Sequence, residues 1–162
     1  MTSSQGSVLS DPIRRIGLVL SGRSREGSMT LDRLIHLCEG RDVSLAFEPR
    51  SPGLPEGAEV LDLDGSPVDL LLALGGDGTM LRASRLAIGF GLPVFGVNTG
   101  RLGFLTTTPE KELEAGVNAV LDGQALVERR FTLSATVKGA GGETFGPFDA
   151  LNDVVVHHSG AA

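Results

Sequence analysis

The fold of this chain is decided by residues 68–79, which read VDLLLALGGDGT. Residues 68–74 are apolar apart from Asp69, as in a parallel strand that is buried on both faces. After Thr79 the apolar residues have the spacing of a helix that ends near Gly89. A strand, a glycine turn and a helix in this order predict backbone N–H groups that face a phosphate.

The glycine turn also carries a carboxylate, Asp77. Because an acid has no reason to bind an anion, we predict another task for it: a base that accepts the proton of a hydroxyl attacking a phosphoryl group. The sequence has no Gly-Lys pair for a P-loop and no G-x-G-x-x-G, so a phosphate would need a different cradle. A tight connection without a ligand is the alternative interpretation, which the position at a strand end weakens.

Strands and helices alternate around this segment, which predicts an α/β fold with a wound parallel sheet. The predicted strands are 16–20, 43–47, 59–63, 68–74 and 93–97. The predicted helices are one that carries Cys38 and ends at Gly40, one from Thr79 and one over 109–121, with loops at 48–57 and 98–105.

The pattern changes after Gly123, where residues 125–138 and 144–158 are two strand-like stretches joined by a glycine-rich turn. An isolated hairpin is marginally stable in water, so we expect it to open a β-rich domain that this chain does not complete. The predicted organisation is a flexible tail at 1–13, an α/β nucleotide-binding domain at 14–123 and the first strands of the β-rich domain at 124–162.

Composition excludes several classes of function. The net charge is −6, no basic block occurs, and Trp and Tyr are absent, which argues against a nucleic-acid partner. No apolar run has the length of a membrane span, and the polar, Ser-rich start does not have the pattern of a signal peptide. The single Cys38 is predicted to be a buried residue on a helix face. We therefore predict a cytoplasmic protein with no membrane partner.

Several polar residues have two interpretations. Arg82 opposes the dipole of its helix, so it either meets an anion, such as Asp77 or a ligand phosphate, or lies solvated on the polar face. In the loop at 98–105, Phe104 is either a pocket wall or a core residue, and Arg101 either meets phosphate or is exposed.

Two pairs of polar residues lie near the end of the chain. The pair Asn152-Asp153 either contacts a ligand or is a turn pair. The pair His157-His158 has no Cys or carboxylate at metal-ligand spacing, which favours a solvated strand end.

Three motifs together resemble the NAD kinase family: GGDGT at 75–79, NTGRLGFL at 98–105 and LNDVVV at 151–156. The first motif also occurs in diacylglycerol and sphingosine kinases, whereas the other two resemble NAD kinases more closely. The match covers most of residues 16–158.

The resemblance implies transfer of the γ-phosphoryl group of ATP to the 2′-hydroxyl of the adenosine ribose of NAD, which gives NADP, with Mg²⁺ or another divalent cation present. It implies that Asp77 is the general base. The implied binding residues are Gly75, Gly76, Gly78, Thr79, Arg82, Phe104, Asn152 and Asp153. The family usually has Asn-Glu where this chain has Asn152-Asp153, and its full-length members are commonly homo-oligomers. The family continues into a β-rich domain with a Thr/Gly/Ser-rich adenine-binding segment that these 162 residues do not include, so we expect little NADP formation from the isolated chain. The remaining alternatives are a lipid kinase of the diacylglycerol type and a non-catalytic nucleotide-binding fragment.

Overall fold

A computed structural model of the chain describes residues 7–9, 11–22, 28–49, 51, 54–101, 103–106 and 108–157. The strands are β1 (Ser7–Val8), β2 (Arg15–Leu20), β3 (Ser44–Phe47), β4 (Glu59–Val60), β5 (Leu70–Leu74), β6 (Val94–Asn98), β7 (Thr108–Pro109), β8 (Leu126–Val127), β9 (Leu133–Lys138) and β10 (Thr144–Ala150). The helices are α1 (Met29–Glu39), α2 (Asp77–Ile88) and α3 (Leu113–Leu121), with a 3₁₀ turn at Glu110–Glu112 before α3. The predictions made for residues 1–6, Leu102 and His158 lie outside the described residues.

A six-stranded sheet forms the centre of the fold, in the order β4-β3-β2-β5-β6-β7. Every neighbouring pair in it is parallel, which confirms the predicted parallel α/β sheet. From β2 the chain moves outward through β3 to β4, returns to β5 beside β2, and then moves outward on the other side. The order of the strands therefore reverses between β2 and β5, and open α/β sheets bind ligands outside the carboxyl ends of the strands at such a point.

Helices cover both faces of this sheet. Alternate strand residues such as Leu18 and Leu72 pack with α1 and α3 in one cluster, whereas Val19 and Ala73 pack with Ala83 of α2 in another. All five residues of β5 are buried, as the apolar run predicts. Cys38 is fully buried on the inner face of α1, and this burial raises the pKa of its thiol to about 11.

The N-terminal segment differs from the predicted flexible tail. Ser7 and Val8 pair antiparallel with Leu126 and Val127, and Ile13 is buried in the core. The segment is ordered for two reasons. Ile13 is apolar and close enough to the core to be buried in it, and β1 supplies the backbone partner of β8.

Contacts divide the chain into two compact units, 1–128 and 129–162. The boundary falls after Glu128 rather than after Gly123, because β8 pairs with β1 within the first unit. None of the helices in the described part of the chain has the length and apolar character needed to span a membrane.

The second unit contains a shorter form of the predicted hairpin: of the first predicted stretch, 125–138, only β9 belongs to it, since β8 pairs with β1 in the first unit. β9 and β10 pair antiparallel, and the N–H of Gly139 donates to the carbonyl of Glu143 across the turn. The second strand is shorter than the predicted 144–158, because it ends at Ala150 and a bend follows at Leu151 and Asn152. Asn and Asp are frequent in turns, and the bend at Asn152 agrees with this preference.

Candidate functional site

A cleft of about 380 Å³ lies at the carboxyl ends of the central strands. We call it the switch-point cleft, because its residues follow β2, β5 and β6 around the place where the strand order reverses. Its lining residues are Ser21, Gly22, Gly76, Asn98, Thr99, Gly100 and Arg101. The predicted glycine turn is therefore at the edge of the sheet where α/β folds bind ligands.

Gly75 packs the turn tightly against its neighbours. A Cβ at this position would overlap Oγ1 of Thr79 and lie 2.8 Å from Cβ of Ser21. Gly75 also donates its N–H to the carbonyl of Val97, at 2.9 Å, which ties β5 to β6. Only glycine lets the ends of β2 and β5 and the first turn of α2 approach this closely.

The N-terminus of α2 has no side-chain cap. Gly76 is the N-cap residue and has no side chain to accept the first N–H groups. The N–H groups of Gly76, Asp77 and Gly78 have no hydrogen-bond partner among the described residues. Unpaired N–H groups and the positive end of the helix dipole together favour an anion here.

Asp77 is the first residue of α2, and its carboxylate accepts backbone hydrogen bonds from a distant loop. The N–H of Phe104 donates to Oδ2 at 2.8 Å, and the N–H of Leu105 donates to Oδ1 at 3.0 Å. The N–H of Thr106 also approaches Oδ1, at 3.4 Å. The carboxylate thus joins the glycine turn to residues 103–106, which we call the 103–106 segment.

These N–H groups lower the pKa of Asp77 below its ordinary value, with Phe104 the largest cause, and partial desolvation opposes them. Asp77 is consequently a carboxylate at neutral pH and able to accept a proton, although less basic than a free one. A carboxylate offers roughly four lone-pair sites, so one remains for a substrate hydroxyl.

Asn98, at the end of β6, holds the other side of the loop and is a residue that the sequence analysis did not single out. It is 3% exposed. Its Oδ1 accepts from the N–H of Gly100, and its Nδ2 donates to the carbonyl of Arg101 and to Oγ1 of Thr106. The available signal was an Asn at a strand end, a common turn former.

Arg82 contacts an anion that the sequence analysis did not name. Its Nε donates to Glu48 at 3.0 Å, and its Nη2 donates to the carbonyl of Leu20 at 2.6 Å. The structure gives no hydrogen bond from Arg82 to Asp77 among the described residues. The cation therefore joins α2 to the ends of β2 and β3.

The two candidate residues of the loop at 98–105 are both exposed. Phe104 is 98% exposed beside the Asp77 carboxylate, which excludes its interpretation as a core residue in this structure. Arg101 is exposed and lines the switch-point cleft.

The remaining predicted residues lie in the two units as follows. In the first unit, Thr79 is buried and Gly78 is exposed at the start of α2. In the second unit, Asn152 and Asp153 follow β10 and are exposed, as is His157. The bend that follows β10 includes Asn152, so the pair Asn152-Asp153 lies after a strand and does not start one, as the simpler interpretation had expected.

A second cleft, of about 450 Å³, shares Asn98 and Gly100 with the first. Its other lining residues are Arg33, Pro109, Glu110 and Lys111. Arg33 donates to both carboxylate oxygens of Glu114, at 2.7 and 2.6 Å, so its charge is largely compensated.

Acidic and metal-binding side chains are sparse at this edge of the sheet. Within the residues that the structure describes, no group of three His, Cys, Asp or Glu side chains could hold a metal ion. Asp77 contributes a single carboxylate, which is already bonded to backbone N–H groups.

A comparison with family models matches residues 39–125, more than half of the chain, to the ATP-NAD kinase N-terminal domain. The chain is 38% identical over 153 residues to an NAD kinase of Alcanivorax borkumensis, covering 92% of this chain and 51% of that protein. It is 41% identical over 133 residues to an NAD kinase of Gemmatimonas aurantiaca, covering 82% and 45%. The chain thus spans about half the length of these relatives.

The fold is similar to that of a solved structure, yeast NADH kinase complexed with NADH. The TM-score is 0.68 at 18% identity, and the match covers 92% of this chain and 49% of that one. At this identity the likeness supports the α/β fold.

Proposed function

The chain belongs to the ATP-NAD kinase family, and on that premise we propose that it transfers the γ-phosphoryl group of ATP to the 2′-hydroxyl of the adenosine ribose of NAD. The observation that carries the proposal is the carboxylate of Asp77 at the N-terminus of α2, at the edge where the strand order reverses. Phosphoryl transfer needs an anion site and a proton acceptor side by side, and this turn supplies both.

The proposed reaction is an in-line displacement. The ribose 2′-oxygen forms a bond to the γ-phosphorus, and the bond from that phosphorus to the bridging oxygen of ADP breaks. The 2′-hydroxyl proton passes to the Asp77 carboxylate, which is ionised because its pKa is lowered by backbone N–H groups. The unpaired N–H groups at Gly76 and Gly78 hold phosphate oxygens, and Gly75 and Thr79 maintain the close packing of the turn.

The other residues implied by the family resemblance have supporting roles in this proposal. Phe104 offers an exposed ring for contact with the bound dinucleotide. Arg82 shapes the end of β2 beside the cleft through its bond to the Leu20 carbonyl. The family resemblance assigns contacts with NAD to Asn152 and Asp153, which are exposed on the second unit.

The described residues offer no set of side chains that could coordinate the divalent cation that the family implies. Among the described residues no group of three potential ligands exists, and the Asp77 oxygens accept backbone N–H groups. Mg²⁺ is often bound mainly through substrate phosphates and water, so it would enter with ATP.

The two alternatives to an NAD kinase can be distinguished by assays on the same protein sample. A lipid kinase would phosphorylate diacylglycerol, and the family match to ATP-NAD kinases does not support it. A non-catalytic nucleotide-binding protein would bind NAD without turnover.

The decisive experiment measures NAD affinity by calorimetry and NADP formation with ATP, Mg²⁺ and NAD on one preparation. We expect NAD to bind to the chain, and NADP to form in a version of it that is extended from its source gene, in which kcat is then measured. Binding without NADP in the extended version would contradict the kinase proposal and support the non-catalytic alternative, and phosphorylation of diacylglycerol would support the lipid kinase. Replacing ATP by inorganic polyphosphate in the same assay identifies the donor.

We also propose a cytoplasmic homo-oligomer. Exposed apolar side chains on the second unit support self-association, since faces of this kind mark interfaces. These include Phe131, Phe145, Phe148 and Val156. Sedimentation at several protein concentrations tests the assembly, and a monomer at all of them would contradict it.

A further inference from the structure

A buried asparagine is an uncommon choice at the end of a central strand. Asn98 is the last residue of β6, and both its amide nitrogen and its amide oxygen are hydrogen-bonded. An apolar residue at this position would leave the Gly100 N–H and the Arg101 carbonyl without these partners. The side chain is therefore suited to fixing the chain that follows it.

Thr106 connects Asn98 to Asp77. Its Oγ1 accepts from Nδ2 of Asn98 at 2.9 Å, and its backbone N–H approaches Oδ1 of Asp77 at 3.4 Å. Thr106 is 2% exposed, so solvent does not compete for the bond between the two side chains. The backbone N–H groups of Phe104 and Leu105 just before it complete the contact with Asp77.

We propose that Asn98 is a positioning residue for phosphoryl transfer, which fixes through Thr106 the segment whose backbone N–H groups orient the Asp77 carboxylate. The proposal rests on the proposed function, because it assumes that Asp77 is the base. Asn98 would act on the reaction through Asp77. A small misplacement of a catalytic group can cost about 100-fold in rate, so this indirect role is measurable.

The pKa of Asp77 is a measurement that distinguishes this positioning role from a general loss of stability. Its pKa is lowered by the N–H groups of the 103–106 segment and by no charged side chain of the described residues. Arg82, the cation one turn along α2, is paired with Glu48. If the segment loosens, the Asp77 pKa should rise toward its ordinary value.

The experiment follows the Asp77 carboxyl carbon by NMR as a function of pH in the 162-residue chain, together with the amide signals of residues 104–106. Thr106→Val keeps the shape and the backbone N–H but removes the acceptor for Asn98. Asn98→Asp keeps the acceptor for Gly100 and loses both donors. The conservative variant Thr106→Ser keeps the hydroxyl. Asn118→Ala is the matched control, because Asn118 lies on α3 and its Oδ1 accepts a hydrogen bond from Arg41.

We expect Thr106→Val to raise the Asp77 pKa, and both Asn98→Asp and Thr106→Val to lower kcat at least tenfold, with KM for NAD and ATP within about twofold. The titration is compared in Thr106→Val alone, because the new carboxylate of Asn98→Asp would itself raise the Asp77 pKa. Thr106→Ser and Asn118→Ala should behave as wild type. A folded Thr106→Val chain with an unchanged Asp77 titration and unchanged kcat would overturn the proposal, even if Asn98→Asp fails to fold. If Thr106→Val raises the Asp77 pKa but the extended wild type makes no NADP, the proposed function is contradicted, whereas the coupling of Asn98 to Asp77 is supported.

Discussion

The backbone of Gly103 lies directly against the carboxylate of Asp77, so that a Cβ at residue 103 would overlap both carboxylate oxygens. The same carboxylate accepts the N–H groups of the next residues, Phe104 and Leu105. A Cβ at residue 103 would therefore force the Asp77 carboxylate or the loop to shift, whereas glycine lets the loop lie close to this charged side chain.

Gly103→Ala should displace either the 103–106 segment or Asp77. Overpacking of this kind costs about 1–3 kcal/mol in the free energy of unfolding, to be measured by urea denaturation. Gly89→Ala is the matched control, because a Cβ there meets nothing within 4 Å, and it should change stability by less than about 0.5 kcal/mol.

The same clash can be tested without a catalytic assay. In an Asp77→Ala background the overlapping atoms are gone, so Gly103→Ala should cost much less than in wild type, with a coupling free energy of about 0.5–3 kcal/mol. Additive effects of the two substitutions would show that the carboxylate is not what excludes a side chain at 103.

Asp77→Asn should lower kcat by about 10²–10⁴, the usual contribution of a general base, with little change in NAD affinity. The amide keeps the size of the side chain but removes the proton acceptor. The measurement is the rate of NADP formation at saturating ATP and NAD.

The matched control for Asp77→Asn is Asp69→Asn. Asp69 also accepts two backbone N–H groups, those of Arg14 and Arg15, but it precedes β5, whereas Asp77 follows that strand. We expect Asp69→Asn to retain wild-type kcat. An unchanged kcat in Asp77→Asn would rule out the base assignment.

The sequence predicted the parts of the site that depend on local pattern. The apolar run before Gly75 is a buried strand, the glycine turn follows it, and α2 begins at Asp77, because periodicity and turn chemistry act over a few residues. The partners of the charged groups could not be predicted in this way. Phe104 is 27 residues from Asp77, and Glu48 is 34 residues from Arg82, so only the packed sheet brings them together.

The N-terminal segment and the end of the hairpin show the same limit. Ser7 and Val8 are too short a stretch to predict a strand, and their partners Leu126 and Val127 come from the far end of the first unit. The strand β10 ends at Ala150 because Asn152 and Asp153 favour a bend, a local effect that the Val-rich residues after them obscured.

Acid should remove the stabilising contribution of Asp77 in a defined pH window. The folded-state pKa is lowered, so as pH falls the unfolded chain binds the proton first. The contribution is fully present above the unfolded-state pKa of about 3.9, and it is lost as pH falls through the lowered folded-state value.

This window can be measured as the difference between the urea midpoints of wild type and Asp77→Asn. The difference should be constant from about pH 5 to pH 8 and should shrink below about pH 4. Glu114, whose pKa is also lowered, is present in both chains and cancels in the difference. A difference that disappears above pH 5 would mean that the pKa of Asp77 is raised rather than lowered.

Arg82→Ala should destabilise the fold despite the position of this cation near the start of α2. Removing a cation from a helix N-terminus gains a few tenths of a kcal/mol. Against this, the substitution loses the half-exposed ion pair with Glu48 and the bond to the Leu20 carbonyl, which together contribute about 1 kcal/mol after allowance for solvent screening. We therefore expect a net loss in the free energy of unfolding and, through the end of β2, weaker NAD binding by calorimetry.

Two variants distinguish the interactions of Arg82 from the removal of charge alone. Arg85→Ala removes an exposed arginine from the last turn of the same helix that has no ion pair among the described residues; it should lose only a few tenths of a kcal/mol of dipole stabilisation and leave NAD affinity unchanged. Glu48→Gln combined with Arg82→Ala should give a coupling free energy of about 0.2–1 kcal/mol, because the ion pair is partly exposed. A more stable Arg82→Ala chain with wild-type NAD affinity would show that the dipole outweighs both contacts, and Arg82 would then be a residue of the polar face with no part in the site.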